Sequence, residues 1–328
     1  MFKKTFLFIT TLLVATSAST GYNGQDLFKG DVPITRFLDW FKNADHYVHL
    51  KGLIILDLIP AVFLIVQTVL FFKDKQKLKG WFALLSLLAN GIGVVILVQY
   101  AYPIAAQMAD WTPDTLPSNW ISLKDDWIQY IGFYALLGIL GLLLFLITFF
   151  VPANKNTALK PIHPFLNGLK NALLFILTFL SLMNVSGIYD LTFFPTLYKI
   201  SGVTFIEMHR PVDLAMRSIG PIIFSIMLSL FVLLAILFYM EKSKIKSLLI
   251  LVGILLLLGN TFVALKGNRP LNDLFLTWTP TTIPSNWSSL REEWLGYHLY
   301  RHIFNELQVF AILLIYFVTK SKSKTASV

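Results

Sequence analysis

The chain has 328 residues and no cysteine, and only 14% of it is charged. Without thiols there are no disulfides, no thiolate metal sites and no cysteine redox chemistry. The charged fraction is well below the roughly 25% of an average soluble domain. Also missing are a Walker A phosphate loop, a glycine-rich dinucleotide fingerprint after a strand, and a Gly-x-Ser-x-Gly elbow. Gly91 and Gly93 lie in an apolar run, where small residues let helices pack closely. What remains is apolar: hydrophobic residues make up 56% of the chain. Runs of about 20 such residues are the length that crosses a bilayer as a helix. The fold class predicted is all-α, an integral membrane protein with the lipid bilayer as its first partner.

Eight spans are expected, at roughly 4–20, 48–72, 81–105, 128–151, 170–187, 218–240, 247–266 and 297–319. The short loops on one side, with both termini, hold 15 of the 27 basic residues, from Lys3 and Lys4 through Lys73–Lys79, Lys155–Lys170 and Lys242–Lys246 to Lys320–Lys324. Only two acids accompany them, Asp74 and Glu241. The remaining residues carry 12 basic and 16 acidic groups. The positive-inside rule then puts both termini in the cytoplasm, in what is expected to be a bacterial inner membrane. The net charge of +9 is thereby a topology signal, and no nucleic-acid partner is expected.

Residues 1–20 also fit a signal peptide, with Lys3, Lys4, an apolar core and small residues up to Ala18. An internal repeat argues for a retained first helix. The segment "WTPDTLPSNWISLKDDW" at 111–127 returns as "WTPTTIPSNWSSLREEW" at 278–294, an offset of 278 − 111 = 167. Each copy follows a matching order of spans and loops. Two tandem four-helix bundles in parallel are expected: a first unit at 1–152, a cytoplasmic linker at 153–169, a second unit at 170–320 and a tail at 321–328. Parallel repeats are related by an axis along the membrane normal. In the motif, the prolines disfavour regular structure, and Ser122 with Asp125 and Ser289 with Glu292 read as capping boxes that start a helix. Trp120, Trp127, Trp287 and Trp294 suit the headgroup region. The motif itself is expected to be an anchor.

The halves differ just downstream. The second copy continues "LGYHLYRHIFNELQ". At about 100° per residue, Trp294, His298, Arg301 and Asn305 share a stripe, with His302 and Glu306 beside it. The first copy has Ile131, Tyr134, Ala135, Gly138 and Ile139 there. A polar stripe on a span faces a bundle interior or a wet cavity. Asn260, Lys266, Asn268, Arg269 and Asn272 end the span before it. Glu207, His209, Arg210, Asp213 and Arg217 are expected in the outer loop before the sixth span. In the first half, Asp57 is a candidate ionisable group near the outer end of the second span.

"NRPLNDLFLTW" followed by Trp294-x3-His298-x2-Arg301 resembles the anthrone-oxygenase-like family of small four-helix membrane proteins, most without assigned function. The likeness covers about 170–320 best, and this chain departs from the family in being doubled. It implies cofactor-independent oxygenation of an aromatic, anthrone-like substrate.

Three classes of function stay open. In an enzyme, His298 or His302 acts as base and Arg301 with Asn305 or Asn272 stabilises an oxyanion. Asn268, Asn272, Arg269, Trp294, His209 and Arg210 then form the substrate-binding set, and no cofactor is needed. A divalent metal is the alternative, because His298 and His302 stand one turn apart and Glu306 or His209 can complete the set. His46 and His49 form a similar pair in the first half. The third class is non-enzymatic: a lipid or small-molecule binder, a structural envelope protein or a transporter, with an anionic headgroup among Lys266, Arg269, Arg210 and Arg301.

Overall fold

The computed structural model describes residues 2–20, 33–43, 46–151, 164–183 and 197–318. Most of the 153–169 linker, the 321–328 tail, His163 and the side chains of His46 and His49 lie outside the described residues.

All regular structure in the described residues is helical. The helices are α1 (Phe2–Thr20), α2 (Ile34–Asn43), α3 (His46–Lys73), α4 (Lys77–Ile96), α5 (Tyr102–Ala109), α6 (Trp120–Phe150), α7 (Pro164–Met183), α8 (Gly202–Met240), α9 (Lys244–Val263), α10 (Arg269–Thr277) and α11 (Trp287–Phe317). A π-helical turn, Leu97–Ala101, joins α4 to α5, and another, Ala264–Asn268, joins α9 to α10. Each π turn is followed by a proline as second residue, Pro103 or Pro270. A proline ring clashes with the carbonyl four residues back, and a widened turn relieves that clash.

Among the described residues, five helical segments are long and apolar enough to cross a membrane: Lys77–Ala109, Trp120–Phe150, Pro164–Met183, Gly202–Met240 and Lys244–Thr277. This is a helical membrane protein. The helices α1, α3 and α11 cover the three other expected spans, and α11 carries the polar stripe.

Element boundaries recur at the offset of the sequence motif. Shifting α4 by 167 gives α9, and shifting α6 gives α11. The π turns correspond in the same way. So do the tight turns at the Lys-rich end, where Lys75 (φ 58°) and Lys242 (φ 55°) take left-handed backbone. Around them Gln76 N–H reaches Phe71 O at 2.9 Å and Ser243 N–H reaches Phe238 O at 3.0 Å, closing both helices with a Schellman bond. Lys3 pairs with Asp74 and Lys170 with Glu241, again 167 apart. These are the two acids of the Lys-rich side. The helix α1 packs against α3 and α6, as α7 packs against α8 and α11.

α1, α3, α4 and α6 form a closed ring, each touching the next, and α7, α8, α9 and α11 form another. The rings meet along α1, α6, α7 and α11. Phe8 packs edge-on to Phe317 (5.8 Å) and Phe150 edge-on to Phe175 (5.4 Å), one pair being the other shifted by 167. Between them Phe149 meets Tyr316 at 4.8 Å, its own counterpart. Contacts that exchange partners in this way are those of a two-fold interface. Val14, Leu64 and Phe145 of the first ring share one buried cluster with Leu182, Val309 and Leu313 of the second. At the other end, Trp40, Met108, Trp111 and Trp127 join Phe205, Phe275 and Trp278. Arg36 pairs there with Glu207, and Ser201 Oγ–H donates to Asp39 (2.7 Å).

Two local expectations change. The helices after the motif start at Trp120 and Trp287, ahead of Ser122 and Ser289, and Asn119 and Asn286 occupy the cap positions without a side-chain bond. The starts are set instead by the proline turns: Trp120 N–H bonds Pro117 O and Trp287 N–H bonds Pro284 O, both at 3.1 Å. The serines are thus inside the first turn. Second, Glu207, His209, Arg210, Asp213 and Arg217 lie on α8 and not in a loop. Pro211 does not end that helix, whose first turn is capped by Ser201 Oγ accepting from Thr204 N–H (3.2 Å).

Candidate functional site

The stripe on α11 points into the second ring. Leu299, Ile303, Leu307 and Phe310 are exposed on the far face of this helix. Trp294, His298, Arg301, His302 and Asn305 are partly buried. Arg301 reaches across to α9 and its π turn. Its Nε–H donates to Asn260 Oδ1 at 3.0 Å, and its Nη1–H is 3.4 Å from Asn268 Oδ1. Asn260 donates in turn to Asn305 Oδ1 (2.8 Å), and the buried Asn268 donates to Trp294 O (3.0 Å). The π turn thus supplies the residue that ties Arg301 to the start of the stripe.

A second network lies above the first, built on α8 and α10. Asn272 is its hub. Trp294 Nε1–H donates to Asn272 Oδ1 (2.6 Å), His209 Nε2 lies 3.0 Å from the same oxygen, and Asn272 Nδ2 donates to Asp213 Oδ1 (2.8 Å). Asp213 is held by Arg217 (2.5 Å), which also pairs with Asp273 (2.6 Å). Aromatic rings enclose the histidine: Phe205, Phe275 and Trp294 have centroids 5.7, 5.2 and 5.3 Å from it. Trp294 also contacts His298 (4.1 Å), whose ring lies 6.2 Å from that of His302. The indole thus contacts both His209 and His298.

Of the residues singled out from sequence, His209, Asn260, Asn268, Asn272, Trp294, His298, Arg301, His302 and Asn305 come together. The others do not. Arg210 donates to Leu276 O (3.0 Å) and Trp278 O (2.7 Å), closing the C-terminal end of α10. Arg269 is exposed and bonds Asp273 on its own helix (3.2 Å). Glu306 is exposed. Among the described residues no group of three or more His, Asp or Glu side chains gathers as metal ligands.

The charges near the site are balanced in different ways. Arg36 meets Glu207, and Arg217 meets Asp213 and Asp273. Arg291, which is 4% exposed, donates to Tyr198 O (2.9 Å) and Ile200 O (3.1 Å) and stacks on Trp287 at 4.4 Å. Arg301 has only the two amide oxygens, and no carboxylate among the described residues pairs with it.

Sequence reasoning passed over two features. Lys124 and Arg291 are matching buried cations, each near the tryptophan four residues before it. Both were visible as the K/R position of the repeat, but a charged residue next to acids reads as exposed. The other feature is Tyr134, which is buried and donates to the buried Asp57 at 2.7 Å. Asp57 stands out in the sequence, but its partner sits 77 residues on, beyond any local pattern.

Comparison with known proteins gives no match: no family model fits the chain, and no curated protein or solved structure is similar to it.

Proposed function

We propose that the protein is a tandem repeat of two four-helix membrane bundles with eight spans, and that its second bundle binds a small hydrophobic molecule as an anion. The repeat reading is supported by the shared offset of helices, turns and ion pairs. The lysine-rich ends face the cytoplasm in this reading and the site faces the outer leaflet.

The observation that carries the binding reading is Arg301. A guanidinium inside a helical bundle, held by neutral amides and facing no carboxylate among the described residues, is an uncompensated charge there. Such a charge is costly unless a counter-ion arrives. The flanking histidines and Trp294 suit a flat, weakly acidic ligand such as a phenol or enol.

The likeness to the anthrone-oxygenase-like family supplies a reaction. Anthrone loses a proton from its CH2 group and becomes an enolate, whose oxyanion Arg301 stabilises. The enolate reduces dioxygen, and a hydroperoxide forms at that carbon once a proton returns. Loss of water leaves the quinone carbonyl. One oxygen atom stays in the product and the other leaves as water, so no cofactor is required. In this chemistry a histidine takes the proton.

The test is direct. Purified protein in nanodiscs is mixed with anthrone, and oxygen uptake and quinone formation are followed. One dioxygen consumed per quinone formed, above the rate in empty nanodiscs, is expected. A rate equal to that of empty nanodiscs rejects the enzyme reading.

A non-enzymatic binder of an anionic lipid is the second reading, favoured by the exposed Lys266 on the π turn that also carries Asn268. It predicts phospholipid that co-purifies with the wild type and is lost in Arg301→Leu.

A further inference from the structure

We propose that Nδ1 of His209 is the proton acceptor of this site, the atom that takes the proton from the bound phenol, enol or activated CH2. The assignment rests on the reading of the second bundle as an anion-forming site, and it names the base.

Hydrogen-bond logic fixes the state of this histidine. An indole N–H can only donate, so the atom of Asn272 that faces Trp294 Nε1 at 2.6 Å must be its oxygen. The other end of the same amide faces Asp213 Oδ1, an oxygen of the carboxyl group to which Arg217 donates. That end must therefore be the NH2. Flipping the amide would set donor against donor at one end and acceptor against acceptor at the other. With the amide oxygen facing His209 Nε2 at 3.0 Å, Nε2 must carry the hydrogen. In the neutral ring Nδ1 is then a bare lone pair.

That lone pair is out of contact with water. His209 is 7% exposed, and its Nδ1 is buried with no hydrogen-bond partner among the described residues. A buried acceptor without a donor costs about 1–3 kcal/mol. Such an atom points to a donor that arrives with a ligand. The rings of Phe205, Phe275 and Trp294 pack around the imidazole, an aromatic surrounding that suits an aromatic ligand. When Nδ1 takes a proton, the imidazolium faces the dipole of Asn272, with Asp213 behind it. The other charged or titratable groups of the cluster are Arg217 on α8, Arg269 and Asp273 on α10, and His298, Arg301 and His302 on α11.

The first bundle shows that this arrangement is not a by-product of the shared backbone. The position matching Asn272 is Ala105, and that matching His209 is Lys42. The tryptophan is kept as Trp127, but the hub that would fix a histidine is absent.

The experiment uses full-length protein in nanodiscs. Histidine-selective 15N NMR gives the tautomer, with the His209 signal assigned by its loss in His209→Gln. This substitution keeps an N–H near Nε2 to meet Asn272 and deletes the lone pair at Nδ1. Expected for the wild type are a protonated Nε2, a bare Nδ1, and a shift of the Nδ1 signal when anthrone is added. In His209→Gln, anthrone is expected still to bind, while its conversion to the coloured enolate slows by about 100-fold or more, the usual contribution of a general base. An Nδ1–H tautomer overturns the assignment, whether or not the variant folds. So does enolate formation by His209→Gln at the wild-type rate, and in that case the reading of the bundle survives. Failure of the wild type to bind anthrone rejects the reading and this assignment together.

Discussion

At position 134 of the first bundle stands a tyrosine that donates to Asp57; at the matching position 301 of the second stands an arginine held by two asparagines. The helices carrying them, α6 and α11, have the same length and the same starting turn. Position 93 against 260 is Gly against Asn, 101 against 268 is Ala against Asn, and 105 against 272 is Ala against Asn. Each half is thus internally consistent. Where one helix has a large polar group, its neighbours supply acceptors, and where it has none, they supply small residues that close the gap. Gly93 lies against the Tyr134 ring in this way, close to where Asn260 holds Arg301. Function tied to Arg301 should therefore belong to one bundle, and stability should belong to both.

The strongest way to break the comparison is to give the second bundle the residue of the first. Arg301→Tyr is expected to slow anthrone turnover by about 100- to 1000-fold, the range for loss of one oxyanion donor. Tyr134→Phe should leave the rate unchanged. Equal loss in both variants, measured by quinone formation, would mean that the bundles work as one site.

Tyr134→Phe should act on stability instead. The phenol gives a buried carboxylate one of its donors, and removing such a donor costs about 2 kcal/mol. Unfolding in detergent, followed by tryptophan fluorescence, reads this as an earlier transition. An unshifted transition would show that Asp57 does not need this bond.

A smaller effect is expected where both halves keep a cation. Arg291→Lys installs the residue of the first bundle at 124. A lysine cannot reach the carbonyls of Tyr198 and Ile200 as a fork or lie flat on Trp287. The loss should be about 1.5 kcal/mol, that of one hydrogen bond to a charged group. It is read from the same unfolding curve, and no loss would mean that the stacking and the fork add nothing over a point charge.

What was legible in the sequence follows from what is local. Apolar length places the helices, and the repeat predicts that their ends recur together. The polar stripe on α11 is read from a period of one helix, and it does face inward. Long-range pairing was not legible. Nothing near Asn272 says that it serves His209, 63 residues before it, and Trp294, 22 residues after it. Arg210 and Arg269 look like ligand cations in a list of charges, but each finds a nearby partner once α10 forms. The capping boxes misled because a proline turn can start a helix without a side-chain cap.

The last comparison concerns the turns at the lysine-rich end, where the halves should respond alike. Lys75 and Lys242 both take left-handed backbone, which costs a residue with a side chain roughly 1–2 kcal/mol relative to its preferred region. Glycine removes that strain but loses more chain entropy on folding, about 0.5–1 kcal/mol. Lys75→Gly and Lys242→Gly should therefore each stabilise by about 0.5 kcal/mol, the difference of these ranges. Two variants far apart in one structure should also add. A double variant whose unfolding shift matches the sum of the singles is expected. Gains that differ between the two turns would show that α3–α4 and α8–α9 are held differently, despite bonds that match one for one.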